Sequence, residues 1–220
     1  MQYPDLEELY HLDDQFLVGS DLLVKPVTTP GATEVEVLFP TADLWYDVDT
    51  MLKMPIGAAD EKIASITVSS DIDKIPVYQR GGSIISRKLR LRRSTQMMIN
   101  DPYTLYIALD SSRKASGLIY MDDEDTFDHE RKGFYAEARL SVDMTSSIRC
   151  KVEGSDEWIG GQSSDVRMIE RVIIMGLDKA PQDISVDSQK LDFVYDDEKK
   201  VLVVRKPNVS ALKDWEISLR

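Results

Sequence analysis

The stretch Glu34-Val35-Glu36-Val37-Leu38-Phe39 decides the fold class of this 220-residue chain. Side chains of a β-strand point alternately to its two faces, so Val35, Val37 and Phe39 would line a buried face. Glu34 and Glu36 would then face water. The pattern indicates an antiparallel sheet with one solvated face.

Similar short runs continue along the chain at the spacing of a β-sandwich. Glycines Gly81-Gly82 predict a tight turn that needs positive φ. Asp196-Asp197-Glu198-Lys199 predicts the turn of a late hairpin. Helical patterns are nearly absent after residue 27, so we predict a mainly β protein with two consecutive β-sandwich domains. The predicted strands lie at 34–39, 45–48, 63–68, 75–78 and 83–85, and then at 103–109, 117–121, 134–142, 147–152, 169–175, 184–186, 191–195, 201–205 and 215–219.

The first 27 residues follow another pattern. Leucines and a tyrosine in 6–12 fit one or two helical turns after Pro4, and an apolar run follows at 16–27. A short helix before a strand buried on both faces indicates an α/β layer. We place the units at 1–26, 27–98 and 99–220, with the second boundary after the polar, basic segment 86–94.

Composition narrows the function classes. The net charge is −12, which argues against binding nucleic acid or an anionic membrane. No apolar run approaches the roughly 20 residues needed to span a membrane. Residues 1–8 lack the basic start and apolar core of a signal peptide, so the protein is cytosolic or a piece of a longer chain.

Charged clusters are the first candidates for chemistry. The acidic segment 122–130 lacks the glycine of a calcium loop and is predicted to be a solvated turn, not a metal site or catalytic pair. The basic segment 87–93 is predicted to pair with acidic loops of the same chain. His11 and His129 lack partners at zinc-ligand spacing. We therefore predict no metal site, no cofactor and no catalytic residue.

Other residue types have structural interpretations. Trp45-Tyr46 and Trp158 could stack on sugar rings, but core packing is favoured. Cys150 shares a strand face with Ile148 and Val152, which predicts a buried thiol. Asn208-Val209-Ser210 is a possible N-glycosylation site if the chain enters the secretory pathway.

Two sets of segments carry a resemblance to a known family. The first set is 13–27, 45–47 and 75–85, and the second is 90–94, 101–105, 169–172 and 214–220. The first set, in order and at its spacing, resembles glycoside hydrolase family 31, and the second is similar to the glucosidase II subfamily of neutral α-glucosidases. In one departure, Glu124 stands where that family usually has glycine, which puts the tightness of the turn in question.

The resemblance implies a retaining α-glucosidase that trims glucose from N-glycans in the endoplasmic reticulum lumen. Residues 1–26 would be the last βα element of a (β/α)8 barrel, whose catalytic aspartates lie upstream. The partners implied are that barrel in the same polypeptide and the glucosidase II β subunit. The residues expected to be buried in the intact enzyme but poorly covered in this chain alone are Phe16, Leu17, Leu22, Leu23 and Val24. The alternative is a free-standing module that binds carbohydrate or protein without catalysis.

Overall fold

The computed structural model describes residues 2–56, 61–144, 147–163 and 166–220. Strands dominate these residues, which confirms the mainly β class. No helix in these ranges has the length and hydropathy needed to cross a membrane. The strands are β1 (Phe16–Val18), β2 (Leu22–Val24), β3 (Glu34–Pro40), β4 (Trp45–Asp47), β5 (Ile63–Ser69), β6 (Val77–Arg80), β7 (Ser83–Arg87), β8 (Tyr103–Ala108), β9 (Lys114–Met121), β10 (Ala136–Asp143), β11 (Ser147–Gly154), β12 (Met168–Met175), β13 (Ile184–Val186), β14 (Gln189–Lys190), β15 (Phe193–Asp196), β16 (Val201–Ser210) and β17 (Trp215–Leu219); the helices are α1 (Asp128–Arg131) and α2 (Asp156–Gly160), with 3-10 turns at Glu7–Leu9 and Thr95–Met98.

The apolar run after residue 15 forms a hairpin, so the prediction of one strand buried on both faces is wrong. β1 and β2 pair antiparallel, with Leu17 opposite Leu23. Between them Gly19 has a φ of +61°, which glycine reaches without the steric penalty of other residues. The sequence hid this turn because only Gly19, Ser20 and Asp21 separate two apolar segments.

The hairpin belongs to a four-stranded sheet in the order β1-β2-β6-β4, next to a two-stranded sheet of β3 and β5. Leu23, Val37, Phe39, Trp45 and Tyr78 form the core between them. Phe39 meets Tyr78 edge-on, with ring centroids 4.8 Å apart. Val37 and Phe39 are buried while Glu34 and Glu36 are exposed, so the predicted alternation of β3 is confirmed.

The remaining strands form one sheet in the order β14-β13-β17-β11-β10-β9-β7-β8-β12-β16-β15. Most neighbours are antiparallel, whereas β12 runs parallel to β8. Leu105, Ile148, Ile174, Leu202 and Ile217 belong to its single large core. Since few described residues are helical, the two halves of this sheet must cover one another to bury that face. The predicted terminal hairpin is confirmed as β15 and β16.

Tyr46 joins the sheet of β1, β2, β6 and β4, called the short sheet below, to the sheet that runs from β14 to β15, called the long sheet. Its ring packs with Ala108, Ile173 and Met175, and its hydroxyl donates to the Leu109 carbonyl at 2.8 Å. Within the long sheet, the ladder between β7 and β8 crosses the boundary predicted at residue 98. The three units remain a prediction.

The turn predicted at Gly81-Gly82 lies between β6 and β7. Gly82 has a φ of +88°. Gly81 is needed for another reason, since a Cβ there would lie 2.9 Å from the Leu109 carbonyl oxygen and 3.0 Å from the Leu44 Cβ. Positive φ at one glycine and close approach at the other make this turn specific for the pair.

Candidate functional site

The acidic segment 122–130 connects β9 to β10, as predicted. Asp122 Oδ1 accepts the backbone N–H of Glu124 at 2.8 Å. Asp123 accepts the backbone N–H of Thr126 at 3.0 Å and its hydroxyl at 2.6 Å. Hydrogen bonds from Thr126 lower the pKa of Asp123. These carboxylates therefore stabilise the turn, and in the described ranges no group of three or more His, Cys, Asp or Glu side chains is placed to hold a metal ion.

Glu124 occupies the left-handed conformation that glycine would adopt without strain, with a φ of +58°. A non-glycine residue there costs about 1–2 kcal/mol. Its carboxylate compensates by accepting from Arg167 Nη1 at 2.7 Å, and Arg167 is only 4% exposed. Arg167 also donates to the Asp122 carbonyl at 3.0 Å. The turn keeps its geometry without glycine because an ion pair holds it.

The basic segment pairs with acidic residues of the same chain, as predicted. Lys88 Nζ lies 3.7 Å from Glu124 Oε1. Arg92 binds the buried Asp101 through two hydrogen bonds of 2.9 and 2.7 Å. Arg90 Nη2 lies 3.4 Å from Glu170 Oε2. These pairs join the segment between β7 and β8 to the acidic turn and to β12.

The outer face of the β1–β2 hairpin is apolar and open. Phe16 and Val18 are each 52% exposed, whereas Leu23 on the opposite face is 2% exposed. A cavity of about 200 Å³ lies between the other face of the hairpin and the N-terminal segment, and its lining includes Leu17, Leu23, Leu9 and Leu12. Exposed apolar patches of this kind mark contact surfaces.

A polar cluster lies on the packed side of the hairpin, away from Phe16 and Val18. The Tyr3 hydroxyl donates to Asp43 at 2.8 Å, and burial raises its pKa, with Asp43 adding to the shift. Arg80, which is paired with the buried Trp45, lies 3.5 Å from Asp21 and 3.9 Å from Asp43. These groups therefore border the core and not the open face.

The aromatic residues considered for sugar stacking are core residues. Trp45 and Tyr46 are 0% and 1% exposed, and Trp158 is 8% exposed, so core packing is confirmed. Cys150 is also buried as predicted, and burial raises the pKa of its thiol to about 12.

The two histidines are placed in separate regions. His129 lies 3.6 Å from Asp122 in the acidic turn. His11 is exposed in the N-terminal segment, after the first 3-10 turn.

The exposed apolar face of the strand segment 117–121 was not predicted from the sequence. The strand segment 117–121 is apolar throughout, which suggests burial on both faces, yet Leu118 is 48% exposed and Tyr120 is 47% exposed. Tyr120 stacks on Tyr135, with ring centroids 5.7 Å apart and an interplanar angle of 19°. No sequence signal separates such a face from a buried one, because composition alone is the same in both.

Comparison with known proteins gives a family for these features. Residues 1–85 match the family described as "Glycosyl hydrolase family 31 C-terminal domain". The whole chain is 40% identical over 225 residues to "Neutral alpha-glucosidase AB" of Dictyostelium discoideum. The chain belongs to glycoside hydrolase family 31 and corresponds to the C-terminal part of its members. It spans 23% of the length of that relative.

Solved structures place it more narrowly. The fold is similar to that of a glucosidase II alpha subunit described as "alpha3-Glc2-bound", with a TM-score of 0.77 and 28% identity. It is equally similar, at 29% identity, to an ER glucosidase II heterodimeric complex of catalytic subunit and regulatory-subunit binding domain. In each case 95% of this chain covers 24% of the other.

Proposed function

We propose that this chain is the non-catalytic C-terminal β region of an α-glucosidase of the glucosidase II type, and that it braces the catalytic barrel of the same polypeptide. The parent enzyme would be a retaining hydrolase that trims glucose from N-glycans in the endoplasmic reticulum lumen. Residues 1–26 would end that barrel, 27–98 would form a proximal sandwich and 99–220 a distal one.

The open face of the β1–β2 hairpin carries this proposal. Phe16 and Val18 remain half exposed, although Leu23 on the opposite face of the hairpin is buried and Leu17 is partly buried. Burying the exposed half of two such side chains contributes roughly 1 kcal/mol each, about half the value for full burial, and only a further part of the polypeptide or a partner can cover them. The family 31 relatives extend about four times the length of this chain.

A matched pair of valines tests the bracing role. Val18 is 52% exposed and Val194 is 53% exposed, and both lie on strands. In the polypeptide that carries this chain, Val18→Asp is expected to lower the melting temperature and the turnover of a chromogenic α-glucoside, because its carboxylate would be buried against the upstream part of the barrel. Val194→Asp serves as the control and should change neither.

Equal, small effects of the two substitutions would contradict the bracing role. Catalysis is tested separately on the 220-residue chain. We expect no turnover of the chromogenic α-glucoside above a heat-inactivated control, and measurable turnover would refute the non-catalytic assignment.

Two further proposals follow from the same assignment. The glucosidase II β subunit would be the partner of the parent enzyme, supported by the similar heterodimeric complex. Asn208 would carry an N-glycan, since it is exposed, has a φ of +54° and lies beyond the residues of β16 that pair with β15. Loss of a glycosidase-sensitive mass shift in Asn208→Gln would test the second, and an unchanged mass in the wild-type secretory protein would exclude it.

A further inference from the structure

We propose that the outer face of β9 and β10 binds a neutral oligosaccharide, with Tyr120 and Tyr135 as a stacking surface and Arg139 as the neighbouring hydrogen-bond donor. The chemical class of sugar, α-linked glucose or mannose units, rests on the proposed function. The surface itself rests on the geometry of these two strands.

The stacking surface is a pair of nearly parallel aromatic rings. Tyr120 lies on β9, and Tyr135 immediately precedes β10. Their rings have an interplanar angle of 19°, and Tyr120 is 47% exposed. Leu118 is 48% exposed on the same face of β9, two residues from Tyr120, because alternate residues share a face. The result is an apolar strip, formed by two stacked rings and Leu118, on an otherwise charged sheet face.

The polar part of the surface lies on β10, directly opposite the apolar residues of β9. Glu137 is opposite Tyr120, and Arg139 is opposite Leu118. Arg139 Nη2 donates to Glu137 Oε2 at 2.5 Å, and its Nε donates to Glu153 Oε2 at 3.1 Å. The guanidinium is therefore held between two carboxylates on neighbouring strands. Its remaining N–H groups and the unused carboxylate lone pairs are free to bond further partners.

This combination fits a pyranose better than other ligands. One face of a hexose carries C–H groups that pack on an aromatic ring, and its hydroxyls both donate and accept hydrogen bonds, as the Arg139 group requires. Two carboxylates surround one guanidinium, so phosphates and other anions are disfavoured. Carboxylates are depleted at the centre of protein interfaces, whereas two of them, Glu137 and Glu153, flank Arg139 on this surface.

Saturation-transfer NMR on the 220-residue chain tests the proposal with maltotriose and an α-linked mannotriose. We expect transfer to at least one sugar, and about a 3- to 10-fold weaker Kd in Tyr120→Ala, from the usual value of an aromatic contact. Tyr120→Phe should retain binding because it keeps the ring. The transfer should not depend on salt, because the ligand carries no charge.

Matched controls make the result specific. Tyr10→Ala removes a tyrosine that is also 47% exposed and should leave binding unchanged. Arg149→Leu removes an arginine paired to Glu216 on the same sheet and should also be neutral, whereas Arg139→Leu should weaken binding. Thermal melts of every variant verify folding.

The proposal is overturned by an absence of transfer to both sugars, by equal losses in Tyr10→Ala and Tyr120→Ala, or by binding that disappears in salt. These outcomes are separate from failure of the proposed function. Sugar binding by the chain can stand if the longer polypeptide proves inactive on α-glucosides, and α-glucosidase activity can stand if this surface binds nothing.

Discussion

The short sheet of β1, β2, β6 and β4 and the long sheet differ in the residues of their outer faces. On the long sheet, cross-strand ion pairs cover β10, β11 and β17, including Arg149–Glu216 at 3.0 Å and the pair of Lys151 with Asp214. On the short sheet, the outer face of β1 carries Phe16 and Val18 without such charges. The first face is suited to water and the second to another protein surface. Strand pattern alone did not separate them, because both sheets have apolar inner faces.

The largest expected difference between the regions comes from truncating a core residue. Leu105 in β8 is 0% exposed, and Leu105→Ala should reduce the free energy of unfolding by about 2–5 kcal/mol, since it leaves a cavity. Val18→Ala on the open face should stay within about 0.5 kcal/mol in this chain. Urea denaturation measures both. A large loss from Val18→Ala would mean that the β1 face is already packed.

The junction between the sheets is tested by a pair of glycines with positive φ. A Cβ on Gly176 would lie 2.1 Å from the Tyr46 hydroxyl, whereas one on Gly133 would have no neighbour within 4 Å. Gly133→Ala should cost about 1–2 kcal/mol from backbone strain alone. Gly176→Ala should lower the free energy of unfolding by about 1–3 kcal/mol more than Gly133→Ala, because the added Cβ overpacks the site. Equal melting temperatures for the two variants would show that Tyr46 moves freely.

A smaller effect is expected from pH. Hydrogen bonds from Arg92 hold the pKa of Asp101 below its usual range. A carboxyl whose folded pKa is lowered stabilises the fold above its unfolded pKa, near 4, and loses that contribution as pH falls through the folded value. Melting temperature should therefore fall below about pH 4 more steeply in wild type than in Asp101→Asn. Parallel curves would show that the ion pair does not contribute.

The smallest expected effect is that of calcium on the acidic turn. Asp123 already accepts hydrogen bonds from Thr126 and the turn has its own geometry, so calcium and a chelator should give the same melting temperature. The double variant Asp123→Asn and Asp125→Asn is the control. A shift of several degrees in wild type that is lost in this variant would establish an ion site.

Particular residues show how much of the structure could be predicted from the sequence. Alternation predicted the burial of Val37 and Phe39, and the strand face of Cys150 was also predicted correctly. The hairpin at Gly19 was missed, because a three-residue turn within an apolar run has little compositional signal. The pairing of Lys88 with Glu124 was predicted only as a class of contact, without its geometry.

The sequence by itself determined the mainly β class, the two faces of β3 and the turn at Gly81-Gly82, because these depend on the period of side chains along a strand and on local backbone sterics. Only the tertiary structure decided that Glu124 is left-handed and held by the buried Arg167, and that Tyr120 faces solvent beside Tyr135. Those facts depend on contacts between residues far apart in the chain. The sequence pattern of an apolar strand is the same whether a second layer covers the strand or leaves it exposed.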